Sequence, residues 1–360
     1  MTLDIRPVAI PERLGTPEAE GFEAYVEATA AVDESVWGHR RFSFEAPQLL
    51  PEFLDDRYTG RRAFAAWDGG RCVGRAEVQW ERTEGARAAE ITVGVAADQR
   101  RRGIGTLLLH HAEALARSNG REVLVGRSDV PVAGLDLAGP RLEAPDGTGS
   151  IPAADPGAAF ATHNGYHLGQ LERASGLTVA GRAAEFRSLL ADHLAARDEV
   201  AAAYRLIGWI DRAPEELLDS LAVAHASMAT DTPAGGISYD EEAWDADRVR
   251  SEEILALAGG RTTLAQAAIA PDGAVAGFTE LSLPADSLAV FQWDTIVLGP
   301  HRGHRLGMLL KLGNLVRLGE IAPERSEIYT WNADENDHML AINLALGFTL
   351  RGLSAEWQHG

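Results

Sequence analysis

The chain has 360 residues, a formal net charge of −20, one cysteine (Cys72) and one lysine (Lys311), so every other Lys/Arg position is arginine. A lone cysteine excludes an intrachain disulfide and a cysteine-built zinc or iron–sulfur site. A single lysine followed by Leu312 excludes a P-loop and leaves little room for Schiff-base chemistry.

A pI near 4.9 argues against general nucleic-acid binding and favours a small or cationic partner. With 46% hydrophobic and 24% charged residues the chain reads as globular, and its length predicts two domains. No apolar run reaches the ~18–20 residues that span a bilayer. The first residues carry Asp4 and no long apolar stretch, so no signal peptide is expected and the expected location is the cytoplasm.

The hydrophobic pattern predicts a strand over 3–10 and a helix over 17–32. Strands over 62–67 and 72–80 flank Asp68-Gly69-Gly70, a hairpin signal. A strand over 89–95, a helix over 105–118 ending at Asn119-Gly120, and a strand over 122–126 follow. Residues 128–156 are rich in Gly, Pro and Asp without a period, and predict a long surface insertion. A short helix over 157–162 and a strand over 165–175 close the first half.

The second half repeats this order. It predicts a strand over 204–210, helices over 214–227 and 240–257, a hairpin of 262–269 with 274–282, and a strand over 290–297. A helix over 306–318, a strand over 327–331, a helix over 335–344 and a strand opened by Gly347-Phe348 complete it. Arg302 follows Arg100 by 202 residues, Asp294 follows Glu90 by 204, and Gly347 follows Gly165 by 182. This is an internal repeat. It predicts copies over 1–178 and 200–360 joined by an amphipathic helix within 179–199.

The strongest local motif is Gln99-Arg100-Arg101-Arg102-Gly103-Ile104-Gly105-Thr106, between a strand and an amphipathic helix. Glycines at 103 and 105 let the backbone turn tightly and approach an anion. The unpaired amides of a helix N-terminus then point at it, with arginine charge and the Thr106 hydroxyl beside them. The second copy is His301-Arg302-Gly303-His304-Arg305-Leu306-Gly307-Met308. Arg305 stands at the position of Gly103, where φ > 0 is costly for a side chain. Either Gly303 supplies the flexibility or this copy binds less well. His110 and His111 are adjacent, not four apart, so no metal site is expected.

The R-x-x-G-x-G loop after a strand resembles motif A of the GNAT superfamily, the acetyl-CoA-dependent N-acetyltransferases, and the element order matches over nearly the whole chain in two copies. HRGHRLG and the later TWNADENDHMLAINLALGF resemble tandem members, including the mycothiol synthase group and antibiotic-pathway proteins. The resemblance implies an α/β (α+β) fold of two GNAT-type domains, each a mixed, mostly antiparallel sheet flanked by helices. It also implies acetyl-coenzyme A as cofactor, lying between splayed strands at Val93 and Val95 in the first copy and Ile296 and Val297 in the second. The two loops, 100–106 and 302–308, would take its pyrophosphate.

In such enzymes an amine attacks the thioester directly, often helped by a carboxylate on the strand before motif A. Glu90 and Asp294 are the residues expected in comparable places, with Glu77 and Glu280 as secondary candidates. A tyrosine acid is common four residues before the terminal Gly-Phe, or Gly-aromatic, pair. Here Asn343 and Ala161 stand there, and Asn343 can donate a hydrogen bond but cannot protonate a thiolate. Asn332 and Asn336 are further expected cofactor contacts, Asn332 having a second reading as a helix cap.

The expected acceptor is a primary amine on a small molecule, with no nucleic-acid or membrane partner, in a monomer or homodimer. Catalysis is expected in the second copy. A non-catalytic acyl-CoA-binding module is the alternative.

Overall fold

The computed structural model describes residues 3–231 and 233–360. Fourteen strands are formed by these residues: β1 (Asp4–Pro7), β2 (Thr59–Asp68), β3 (Arg71–Glu81), β4 (Ala88–Val95), β5 (Val123–Pro131), β6 (Arg141–Glu143), β7 (Ser150–Pro152), β8 (His167–Thr178), β9 (Arg205–Ile210), β10 (Arg261–Ile269), β11 (Val275–Pro284), β12 (Ala289–Val297), β13 (Glu327–Ala333) and β14 (Thr349–His359). Twelve of them make one sheet in the order β1-β2-β3-β4-β5-β14-β8-β13-β12-β11-β10-β9. Every pairing is antiparallel except β4–β5 and β12–β13. The result is a mixed, mostly antiparallel sheet flanked by helices.

The order departs from two sheets side by side. The last strand of each copy pairs with the other copy: β14 lies between β5 and β8, and β8 lies between β14 and β13. Antiparallel partners share a face. Leu353, Ala355 and Trp357 of β14 therefore enter the same core cluster as Ile91, Leu108 and Leu124 of the first copy. Leu177 of β8 enters the cluster of Leu312, Ile328 and Phe348 in the second.

Each face of the sheet carries its own helices. The helices Ile104–Ser118 and Leu306–Ile321, which follow the loops 100–106 and 302–308, pack on one face. The helices Glu20–Trp37 and Leu218–Ala226 pack on the other. The helix Ala183–Ala195 covers the predicted connection and docks on Leu306–Ile321, with Phe186 buried in the second core. No helix among the described residues is long and apolar enough to cross a membrane.

Residues 128–156 are not the irregular insertion that their composition suggested. β5 runs on through Pro131 because β14 supplies backbone partners for Ser128, Asp129 and Val130. Beyond it β6 and β7 form a two-stranded ribbon, and Ala144 and Ile151 sink into the first core. The predicted helix start at 240 also moves. Asp245 caps the helix Ala246–Ala258 by accepting from the Arg248 amide at 2.8 Å.

Residues 233–245 instead cross the sheet toward the first copy. The Gly236 amide donates to the Gly169 carbonyl at 2.8 Å, and the Asp240 carboxylate accepts from the amides of Arg87 and Ala88. The reciprocal contact comes from the first copy. Phe42 packs edge-on against Tyr329 and Trp331, and Arg41 pairs with Glu327 at 2.6 Å.

Candidate active site

Two clefts open where the parallel pairings stop. β4 pairs with β5 only as far as Ile91 and Gly126, and β12 with β13 only as far as Phe291 and Tyr329. Beyond these points β4 continues through Val93 and Val95, and β12 through Ile296 and Val297, with the β5 and β13 side lacking a partner strand. An exposed strand edge of this kind can pair with an extended amide-bearing chain.

Each open edge ends at one of the loops 100–106 and 302–308, and the two loops share a backbone conformation. Arg101 (φ 63°) and Gly103 (φ 81°) are left-handed in the first copy; Gly303 (φ 88°) and Arg305 (φ 58°) are left-handed in the second. Each loop thus has one glycine and one arginine at its two strained positions, in opposite order. Arg305 does adopt φ > 0, at the steric cost its side chain imposes.

Arginines 100 and 302 brace the loops: each Nε donates at 3.0 Å to the carbonyl of the strand end, Val95 or Val297. Their outer nitrogens reach Ser35 and Asp231. Arg102 leans on Asp68 at 3.3 Å, and His304 is half-buried against Tyr204. Ile104 and Leu306 are buried anchors for the helix starts, with Thr106 and Met308 half-buried beside them. A Cβ on Gly105 would stand 3.1 Å from Phe160, and one on Gly307 would stand 3.0 Å from Ile342, so both positions favour glycine.

First-turn amides next to a left-handed turn are donors of the kind that can cradle an anion, and both loops present them. Because the exposed Arg305 side chain is bound to a strained backbone, Arg305→Gly is expected to raise stability. The gain should be a few tenths to about 1 kcal/mol, read from urea unfolding.

The clefts differ most on the face of the helix Leu218–Ala226. Between Thr279 and Leu281 the β11–β12 register shifts, and Trp293 and Asp294 together oppose Glu280. This bulge re-aims the strand. Asp294 comes to 3.3 Å from Nδ1 of His225, a side chain only 9% exposed that stacks on Trp244 with ring centroids 4.3 Å apart. Burial alone would lower the His225 pKa. The contact with Asp294 and the charge of Glu280 outweigh burial, and the pKa is raised. Burial, opposed by His225 but helped by the charges of Asp294, Glu253 and Glu252, pushes Glu280 up to about 7.

In the first copy the bulge is missing and the carboxylates sit differently. Glu90 faces Gln79, a register that gives it the position Phe291 holds in the second copy; Thr92 stands where Asp294 would. Glu90 and Asp294 therefore do not occupy comparable places, contrary to the expectation from the repeat. Glu90 lies in a solvent-open cleft, reached by water but crowded by protein. That crowding raises its pKa against the hydrogen bond from Gln79. Glu77, the counterpart of Glu280, is held by the Tyr25 hydroxyl and by Arg61, each at 2.6 Å.

On the opposite face the second cleft is polar. Lys311, 2% exposed, donates from Nζ to Oδ1 of Asn343 at 2.9 Å, and Asn343 Nδ2 donates to Oδ1 of Asn332 at 2.7 Å. Asn332 stands on β13 beyond its last pairing with β12. Asn336, not Asn332, is the helix cap, accepting from the Met339 amide at 3.1 Å. The first copy has Leu109 and Ala161 in place of Lys311 and Asn343. Trp357 of β14, 2% exposed, fills its cleft floor and donates from Nε1 to Ser128 at 2.9 Å. By register the counterpart of Trp357 is the small Ser175.

His225, Trp357 and the Asn343 partnership of Lys311 were not foreseen. Only Lys311 carried a signal, as the single lysine of an arginine-rich chain.

The comparisons with known proteins agree with this geometry. Residues 29–130 match the acetyltransferase (GNAT) family. No curated protein sequence matches the chain. A solved tandem GNAT protein from the clavulanic acid biosynthesis pathway, without AcCoA, is 26% identical, with a TM-score of 0.71 over 99% of this chain and 98% of that one. A GCN5-related N-acetyltransferase from Sphaerobacter thermophilus, 15% identical, shares the fold, with a TM-score of 0.60 over 99% of this chain and 95% of that one. The chain carries a GNAT acetyltransferase domain within a tandem GNAT fold. The family match and the tandem GNAT neighbour support an N-acetyltransferase, a class that generally uses acetyl-coenzyme A.

Proposed function

We propose that the chain transfers an acetyl group from acetyl-coenzyme A to a primary amine of a small cationic molecule, and that the chemistry runs in the second cleft. The observation that carries this reading is the bulge at Trp293 and Asp294. It gathers Asp294, His225 and Glu280 on one side of a splay whose other side holds Asn332 and Asn343. We read the chain as two units, 1–178 and 200–360, joined through 179–199, cytoplasmic, and working as a monomer or homodimer.

Acetyl-coenzyme A, when bound, supplies the acetyl group as an activated thioester. Residues 302–308 and 100–106 would hold its pyrophosphate by their first-turn amides. Ile296 and Val297 would offer backbone groups to its amide arm, and Val93 and Val95 would do so in the first cleft. Asn332 is positioned to donate a hydrogen bond at the reacting centre, and Asn343 supports it. Glu280, with Asp294 and His225 around it, takes the proton that the acceptor ammonium must lose before its nitrogen can attack.

The carboxylates that raise Glu280 also favour a cationic acceptor, and the 47% exposed indole of Trp293 offers it a ring face. Trp357, Leu109 and Ala161 make the first cleft apolar where the second is polar. This supports a structural or cofactor-binding role for the first copy.

The test follows thiol release from acetyl-coenzyme A with a panel of small amines. Transfer to a cationic primary amine is expected, falling at least tenfold in Asp294→Asn and little in Glu90→Gln. Tight cofactor binding with no transfer to any amine would instead make the chain a non-catalytic acyl-CoA module. Loss of activity in Glu90→Gln alone would move the chemistry to the first cleft.

A further inference from the structure

The only lysine of the chain is buried on the helix Leu306–Ile321 with no carboxylate beside it among the described residues. Its neighbours are Asn343 and the ring of Phe348, whose centroid lies 5.7 Å from Nζ. An uncompensated amine is costly to bury, and an arginine-rich chain has kept one here, two hydrogen bonds from the cleft.

The chemistry of the donors fixes a direction along this chain of groups. An ammonium has donors only, so Asn343 must present Oδ1 to it. That turns Asn343 Nδ2 toward Asn332, which must accept through its own Oδ1. The remaining group of Asn332 is then its Nδ2, a donor with no protein partner among the described residues. Each bond in the series polarises the next.

We propose that Lys311 is a positioning residue: through Asn343 it orients and polarises Asn332, so that an N–H rather than a carbonyl faces the reacting acyl group in the second cleft. This inference rests on the reading of that cleft as catalytic. No proton passes along the relay. The acceptor ammonium first gives one proton to the carboxylate side; its nitrogen then bonds to the acyl carbon as the C–S bond breaks, the sulfur leaves with the electron pair, and the second proton shed by the new amide nitrogen goes through solvent to the thiolate.

The neutral amine has a lone pair and no longer dictates the order of donors. Burial alone lowers Lys311 to about 7, and no charged side chain among the described residues contacts it. The relay is thus directed at lower pH and undirected above neutrality.

A single lysine allows a direct measurement. Protein grown with [ε-13C]lysine should give one side-chain methylene signal that titrates near neutrality. Saturating coenzyme A, its binding followed independently by calorimetry, is expected to raise that midpoint by half a unit or more in the wild-type chain and not in Asn343→Ala. A midpoint unmoved by bound coenzyme A overturns the proposal without requiring any variant to fold.

Kinetics give the second readout. Lys311→Met is expected to lower kcat at least tenfold with KM for acetyl-coenzyme A within twofold. Lys311→Arg, which keeps the charge at every pH, should recover most of the rate and lose the alkaline fall. If Asp294→Asn abolishes transfer while Lys311→Met leaves kcat unchanged, the positioning role is wrong and the catalytic cleft stands. If neither substitution alters turnover, the cleft itself has been misread.

Discussion

Trp357→Ala is expected to cost about 3–5 kcal/mol of stability, the range for removing a buried indole from a packed core. The residue sits in β14, near the C-terminal end of the chain, yet its side chain is 2% exposed among residues of the first copy and hydrogen-bonds to Ser128 of β5. Removing it leaves a cavity under β4 and β5 and strips Ser128 of its donor. Because β14 and β8 are interleaved between the copies, the loss should be felt by both. Urea unfolding followed by tryptophan fluorescence and by far-UV circular dichroism should show one transition shifted to lower denaturant in both signals. Two separable transitions, with only the second displaced, would show that the exchanged strands do not couple the halves.

The second large effect concerns Glu280. A carboxylate raised to about 7 is half ionised near neutrality, and only the ionised form can accept the ammonium proton. The rate at low acceptor concentration should therefore rise with pH toward about 7, beyond which the neutral form of Lys311 turns it down again. Glu280→Gln should remove that limb and lower the rate by about 10²–10⁴-fold, the usual contribution of a positioned base. An unchanged limb in Glu280→Gln would assign it to His225 instead.

The same shift has a stability consequence of definite sign. A carboxylate whose pKa is higher folded than unfolded contributes stability at low pH, and that contribution is lost as pH rises from the unfolded value through about 7. The Gln variant should therefore gain stability relative to wild type at pH 8 and not at pH 4. Activity and stability are opposed at this position.

Much of the fold was legible because hydrophobic periodicity reports local structure. Both hairpins, both loop helices and the duplication followed from it. The exchange of β8 and β14 did not, because a strand's alternation states which face it buries and not which edge it joins. The extent of β5 was missed for the same reason. Asp129 and Val130 continue a strand only because β14 lies beside them.

The candidate site was legible in part. The anion loops and the departure from tyrosine at Asn343 were visible as residues in a spacing. The mismatch of Glu90 with Asp294 was present in the numbers: the offset was 204 there and 202 at the loops. A one-residue bulge moves side chains between register positions, and no repeat length reveals where it sits. His225 reaches Asp294 only through the packing of a helix on the sheet, which the sequence around it does not mark.

The position of β14 also bears on how the chain is made. More than 200 residues separate β5 from the strand that completes it. During synthesis the first copy emerges with the edge of β5 and its apolar face uncovered, and it waits for the far end of the second copy to close. Contacts this distant in sequence slow folding and leave intermediates open to aggregation. Slow refolding is thus an expected consequence of the same interleaving that ties the two clefts into one body.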